Sequence, residues 1–111
     1  MPILQDEGIR KLAQRFIFLP LARRVFEQDR LKVEQANFKI PSLYTELIDN
    51  AISKITTDLR DLRKEMRRTG LSVYEQEAGY LLVCKRYQLE VSYTPDSMRR
   101  HVGELMQQYL K

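Results

Sequence analysis

The apolar positions of this chain fall into successive rhythms. From Gln5 to about Phe18, the residues Ile9, Leu12, Ala13, Phe16 and Ile17 recur at i, i+3, i+4, i+7 and i+8, which is one face of a helix. Ala22, Val25, Phe26, Val33 and Ala36 continue the pattern from Leu21 to about Ala36. Between them, Pro20 disfavours helical angles at Leu19 and suits the first turn of a new helix. The spacing therefore predicts two N-terminal helices, or one helix kinked at Pro20. Phe16, Phe18, Leu19 and Leu21 around the junction are too apolar for a free hinge, so the junction is expected to be buried.

Asn37 to Pro41 (NFKIP) is the clearest break, with Asn37 able to end a helix and Pro41 biasing Ile40 away from helical angles. Ser42 is the expected N-cap of the helix that follows, Ser42–Thr69. Along it Ile48, Ile52, Ile55, Leu59, Leu62 and Met66 stand four, three, four, three and four apart, an a/d seam of nearly three heptads. Gly70 suits the left-handed position after the helix, with Leu71 placed to pack back on Met66. About 28 residues at 1.5 Å each gives roughly 42 Å. A small domain does not cover a helix of that length, so part of the seam meets the N-terminal helices or a second copy of the chain.

From Leu71 to Tyr93 the rhythm shortens. LSVYEQ and YLLVCKRYQLEVSY are rich in β-branched and aromatic residues, and Leu89 to Tyr93 alternates apolar and polar. Two or three antiparallel strands are expected, with turns at Glu77-Ala78-Gly79 and at Lys85 to Gln88. A helix competes over 72–88, because Ser72 and Glu75 form a capping box and Val73, Tyr80, Cys84 and Tyr87 share one helical face. Thr94 as N-cap and Pro95 at the first helical position then start a final helix. Its buried face is Met98, Val102, Leu105, Met106 and Tyr109. The expected architecture is α+β in a single domain, residues 1–111: two N-terminal helices, a long central helix, a small antiparallel sheet and a C-terminal helix.

Composition narrows the function classes. The 111 residues carry 19 Lys and Arg against 15 Asp and Glu, a net charge of +4, which is mildly basic but no announcement of a nucleic-acid binder. One cysteine, Cys84, excludes an internal disulfide and fits a reducing compartment. Set in YLLVC, it reads as a buried, inert thiol. No apolar run is long enough to span a bilayer, and a cytoplasmic protein without membrane contact is expected.

Catalytic chemistry finds little to work with. His101 is the single histidine and has only Glu104 as an acid nearby on its helix. Spacings for zinc or calcium sites are absent, and with four glycines no phosphate cradle is built. Pairs such as Asp58 and Asp61 read as solvated surface. No enzyme, cofactor, metal or small-molecule substrate is expected.

The long helix carries the richer signal. At about 100° per residue its second half sorts into the seam, a basic stripe (Arg60, Arg63, Lys64, Arg67, Arg68) and an acidic stripe (Asp58, Asp61, Glu65). Like charges at i, i+3 and i+4 repel mildly, so helix stability alone would interleave the signs. The functional reading is an edge facing phosphate or an acidic partner. The plainer one is that cations complement the C-terminal dipole and keep the surface soluble. The basic pairs Arg23-Arg24, Lys85-Arg86 and Arg99-Arg100 would favour the functional reading if two of them gathered beside the stripe. Tyr74, Tyr80, Tyr87 and Tyr93 are bases' or partners' stacking surface if exposed, and ordinary strand residues if buried.

The expectation is thus a non-enzymatic interaction or regulatory protein, binding a protein partner or pairing as a homodimer through the seam. The alternative is a nucleic-acid-binding module using the basic stripe. A winged-helix version of that alternative faces a helix about twice the usual length and no clear turn where the motif needs one.

Overall fold

Asp6 opens the first element: its carboxylate accepts the Ile9 amide at 3.2 Å, and Glu7 in the first turn complements the dipole. The computed structural model describes residues 6–36, 39 and 41–111. Over these the chain forms helices α1 (Glu7–Gln35) and α2 (Pro41–Thr69), strands β1 (Leu71–Gln76), β2 (Gly79–Cys84) and β3 (Tyr87–Val91), and helix α3 (Pro95–Tyr109). The class is α+β. Of the two alternatives at Pro20, two helices or one helix kinked there, the chain takes a single helix, and the long central helix is not alone in its length, since α1 and α2 have 29 residues each. Gln5 and Asn37, expected at the ends of the N-terminal helical region, lie outside the described residues.

Pro20 sits inside α1, where it offers no amide to the carbonyl four residues back, at a cost of about 3 kcal/mol. Burial offsets this. Ile17, Phe18 and Leu19 are all buried, as is Ala22 on the next turn. Three consecutive residues span about 200° of a helix, more than one neighbour covers. Here α1 packs against α2, α3 and β1 together. The apolar junction foreseen around Pro20 is the centre of the core, without a break in the helix.

α2 runs back along α1. Arg30 reaches Asp49 at 2.6 Å and, two turns earlier, Arg23 reaches the Thr56 hydroxyl at 3.4 Å, which fixes the antiparallel register. The helix starts at Pro41, so Ser42 is in its first turn and is not the N-cap. Its carbonyl accepts the Thr45 hydroxyl at 3.3 Å, and the capping position falls outside the described residues. At the other end Gly70 takes φ +77°, and its amide returns to the Arg67 carbonyl at 3.3 Å.

The segment 71–91 resolves as strand. The β-branched and aromatic content outweighs the capping box because the strands pair and one face of the sheet packs on the core: β1, β2 and β3 form an antiparallel meander in the order β1-β2-β3, with Leu71, Val73, Leu82, Cys84 and Leu89 turned inward. Gln76 pairs with Gly79 and Cys84 with Tyr87, so each turn has two residues, and the second is tighter than Lys85 to Gln88. Gly79 has φ +152°, and a Cβ there would stand 2.3 Å from the Val91 carbonyl oxygen of β3. In α3, Thr94 accepts the Ser97 amide at 3.1 Å and Pro95 enters the first turn. Met98, Val102, Leu105, Met106 and Tyr109 lie half-buried against the core cluster.

Two substitutions test this account in opposite directions. Gly79→Ala forces β3 off β2 and lowers stability by about 2 kcal/mol or more, the scale of local backbone strain. Pro20→Ala restores an amide to α1 and raises stability by about 1–2 kcal/mol, part of the helix penalty being offset by the stiffer unfolded chain that proline provides. Urea denaturation measures both.

Candidate binding face and groove

The seam on α2 is spent within one chain. Ile48, Ile55, Leu59, Leu62 and Met66 are buried and Ile52 is half-buried, with Ala51 filling the space between turns. α1 is the principal cover. The part of α2 left uncovered is its first turns, where Leu43 is 61% and Leu47 48% exposed, beyond the reach of the sheet and α3. Leu31 on α1 is likewise exposed. The surplus length foreseen from the sequence is therefore at the start of α2, away from the basic stripe.

The two charged stripes have different neighbours. On the acidic side, Asp58 accepts the Tyr109 hydroxyl of α3 at 2.5 Å and faces Arg15 of α1 at 3.9 Å. Arg15 in turn donates to the Tyr109 oxygen at 3.4 Å. Burial, followed by the Asp58 carboxylate, pushes the Tyr109 hydroxyl up to about 12, because ionised it would be partly desolvated and would face a negative neighbour. This three-helix tie was not legible in the sequence, since its members are far apart in the chain. The acidic stripe is thus partly structural.

On the basic side, Arg60, Arg63, Lys64, Arg67 and Arg68 are all exposed. Arg68 forms an ion pair with Glu65 one turn back, which holds that carboxyl below its usual range. Buried Cys84 pairs with Leu71 in the sheet, and its thiol donates to the Thr69 carbonyl at 3.5 Å. That register brings the exposed turn Lys85-Arg86 to the C-terminal end of α2. Arg23, by contrast, is bound to Thr56.

Beside the stripe lies a hollow of about 300 Å³, walled by Arg63 and Arg67 on one side and Ser72, Val73 and Tyr74 on the other, with Phe16, Met66 and Leu71 beneath. It adjoins a second hollow of about 320 Å³ through the shared residues Phe16 and Val73. Arg24 and Glu75 line that second space with Pro20, Leu21 and Tyr80. Sequence reading singled out Arg63 and Arg67 but not Phe16 or Val73, whose apolar spacing is indistinguishable from that of core residues.

His101 stacks on Phe18 with ring centroids 4.8 Å apart, and Tyr93 meets both rings edge-on at 5.0 and 6.0 Å. Cys84 and His101 share none of these partners. Tyr80 and Tyr93 are half-buried, and Tyr74 and Tyr87 are exposed, so the tyrosines divide between the two readings. Among the described residues no helix is long and apolar enough to cross a membrane.

The Asp58–Tyr109 tie gives a pH prediction. In the unfolded chain the tyrosine ionises near its ordinary value of about 10, so the unfolded state loses its proton first. Its contribution is complete below about pH 10 and is lost as pH rises through about 12. The urea-midpoint difference between wild type and Tyr109→Phe should therefore shrink steadily above pH 10; a constant difference would contradict the tie.

Comparison with known proteins finds one family whose model, described as YhjD protein, matches residues 3–111. The chain is also similar to "Uncharacterized protein YhjD" of Bacillus subtilis (strain 168), at 32% identity over 115 residues, covering 99% of this chain and 95% of the relative. No solved structure matches. Family model and relative agree over almost the whole length: the chain belongs to the YhjD family.

Proposed function

We propose that this chain is a non-enzymatic, cytoplasmic interaction protein that binds an acidic partner protein across its basic face. The observation that carries the reading is that two further basic segments come toward the Arg60–Arg68 stripe: the Lys85-Arg86 turn, brought to the end of α2 by the pairing of Cys84 with Leu71, and Arg24, which lines the hollow adjoining that of Arg63 and Arg67. Dipole complementation accounts for cations in the last turn of α2. It does not account for a second basic segment delivered there by the sheet. The like charges at the site repel, and a counter-charged partner relieves that repulsion while gaining charge-assisted hydrogen bonds to guanidinium. A cytoplasmic setting is supported by the single, buried, unpaired thiol.

A homodimer through the seam of α2 is left out of this proposal, because α1 already occupies that seam. A nucleic acid is the second reading, favoured by the same exposed arginines. An apolar groove adjoining the basic face favours protein over a duplex, whose phosphate backbone makes no use of one.

The test is binding of poly-glutamate, an unrelated duplex and an unrelated single strand. Poly-glutamate should bind at low salt and weaken more than tenfold from about 50 to about 200 mM salt, by the screening of exposed charges. Arg67→Glu with Arg86→Glu should abolish the binding. Tighter binding of duplex or single strand, with a steep counterion-release slope, would transfer the function to nucleic acid. No binding of any polyanion at low salt would remove the proposal.

A further inference from the structure

We propose that the hollow beside β1 is a docking groove for an extended acidic segment of a partner protein, which adds to the sheet as a fourth strand. This rests on the acidic-partner reading above and gives it a place and a mode.

β1 is an edge strand. Its six residues pair with β2 alone, and among the described residues no backbone hydrogen bond engages its outer side. Such an edge presents a row of unpaired amides and carbonyls, which proteins usually guard with lysine, proline, a bulge or a covering element. LSVYEQ has no lysine, arginine or proline, and it pairs with β2 in unbroken register from Leu71↔Cys84 to Gln76↔Gly79. Its one charge is Glu75, and although α1 and α2 pack against β1, none of their backbone groups among the described residues pairs with its outer side.

The hollow runs along that edge. Ser72, Val73 and Tyr74 all wall it, and successive residues of a strand point to opposite faces. A space that touches three in a row therefore lies beside the main chain, not over one face of the sheet. Across it stand Arg63 and Arg67, with Phe16 and Met66 forming the floor. An incoming strand would spend its main-chain groups on β1. Its alternate side chains would be apolar against the floor and acidic toward the arginines, the division of labour by which strand addition gains affinity from backbone and specificity from pockets. A duplex is too wide to use the main-chain edge, and a single strand has no amide row to match it.

The probe is a synthetic peptide of about eight residues alternating glutamate and valine, labelled for fluorescence anisotropy. Two variants carry N-methyl groups on one or the other alternate set of amides. Saturable binding is expected, lost at least tenfold on methylating one set and retained on methylating the other, because only one set faces β1. Bound peptide should slow hydrogen exchange in residues 71–76 at least tenfold, and Arg63→Glu with Arg67→Glu should weaken binding at least tenfold. Both arginines are exposed, so the variant is expected to fold, and an unchanged urea midpoint checks this. Equal binding of the two methylated peptides, or no added protection in β1, overturns strand addition while leaving an acid-binding face. Failure to bind the peptide by a protein that binds poly-glutamate overturns the groove alone, and failure to bind either overturns both readings. A duplex that competes for the arginines and leaves β1 exchange unchanged overturns the groove in favour of nucleic acid.

Discussion

The packing of α1 along the seam of α2 is the constraint from which the rest of this molecule follows. Two helices of 29 residues lie antiparallel, and over their shared middle α1 is buried on nearly every side. That demand explains why a proline is kept inside α1. The turn containing Ile17, Phe18 and Leu19 has α2, the sheet and α3 to satisfy, and the apolar area it buries outweighs one lost hydrogen bond. It also explains the elongated outline, 56 × 27 × 19 Å, because the sheet and α3 cover only part of the hairpin.

Charge follows from the same packing. With the seam turned to α1, the flanks of α2 face different surroundings. Asp58 on one flank is drawn into a tie with Arg15 and Tyr109, where α3 closes the core. Arg63 and Arg67 on the other flank overlook the edge of β1. Segregation of acids from bases, which costs a few tenths of a kcal/mol per like pair, is thus partly structural on the acidic side. On the basic side it has no intramolecular counterpart beyond the Arg68–Glu65 pair among the described residues, and this asymmetry is the ground for assigning the basic side to a partner.

Much of the fold was legible in local chemistry. The a/d spacing from Ile48 to Met66, the glycine after Thr69 and the Thr94-Pro95 start each specify structure within a few residues. The continuity of α1 stayed open between two helices and one, because the preference of proline for a helix start is local, whereas the burial that overrides it depends on three other elements. Ser42 misled for a related reason: Pro41 is itself suited to the first helical position, which moves the cap upstream. The basic stripe was visible from residue order alone. Its extension by Lys85-Arg86, and the groove formed with Phe16 and Val73, depend on strand register and on which side of α1 meets the sheet. Neither is encoded in spacing along one element.

The central claim is that one chain covers its own seam and so leaves the basic flank free for a partner. Native-state hydrogen exchange of the α2 amides from Ile55 to Met66, at about 10 µM and about 1 mM protein, tests this most directly, because the slowest amides report the opening of whichever packing protects them. The account predicts protection that matches global unfolding and is the same at both concentrations. Protection that rises with concentration would mean that a second copy covers the seam, and would contradict it.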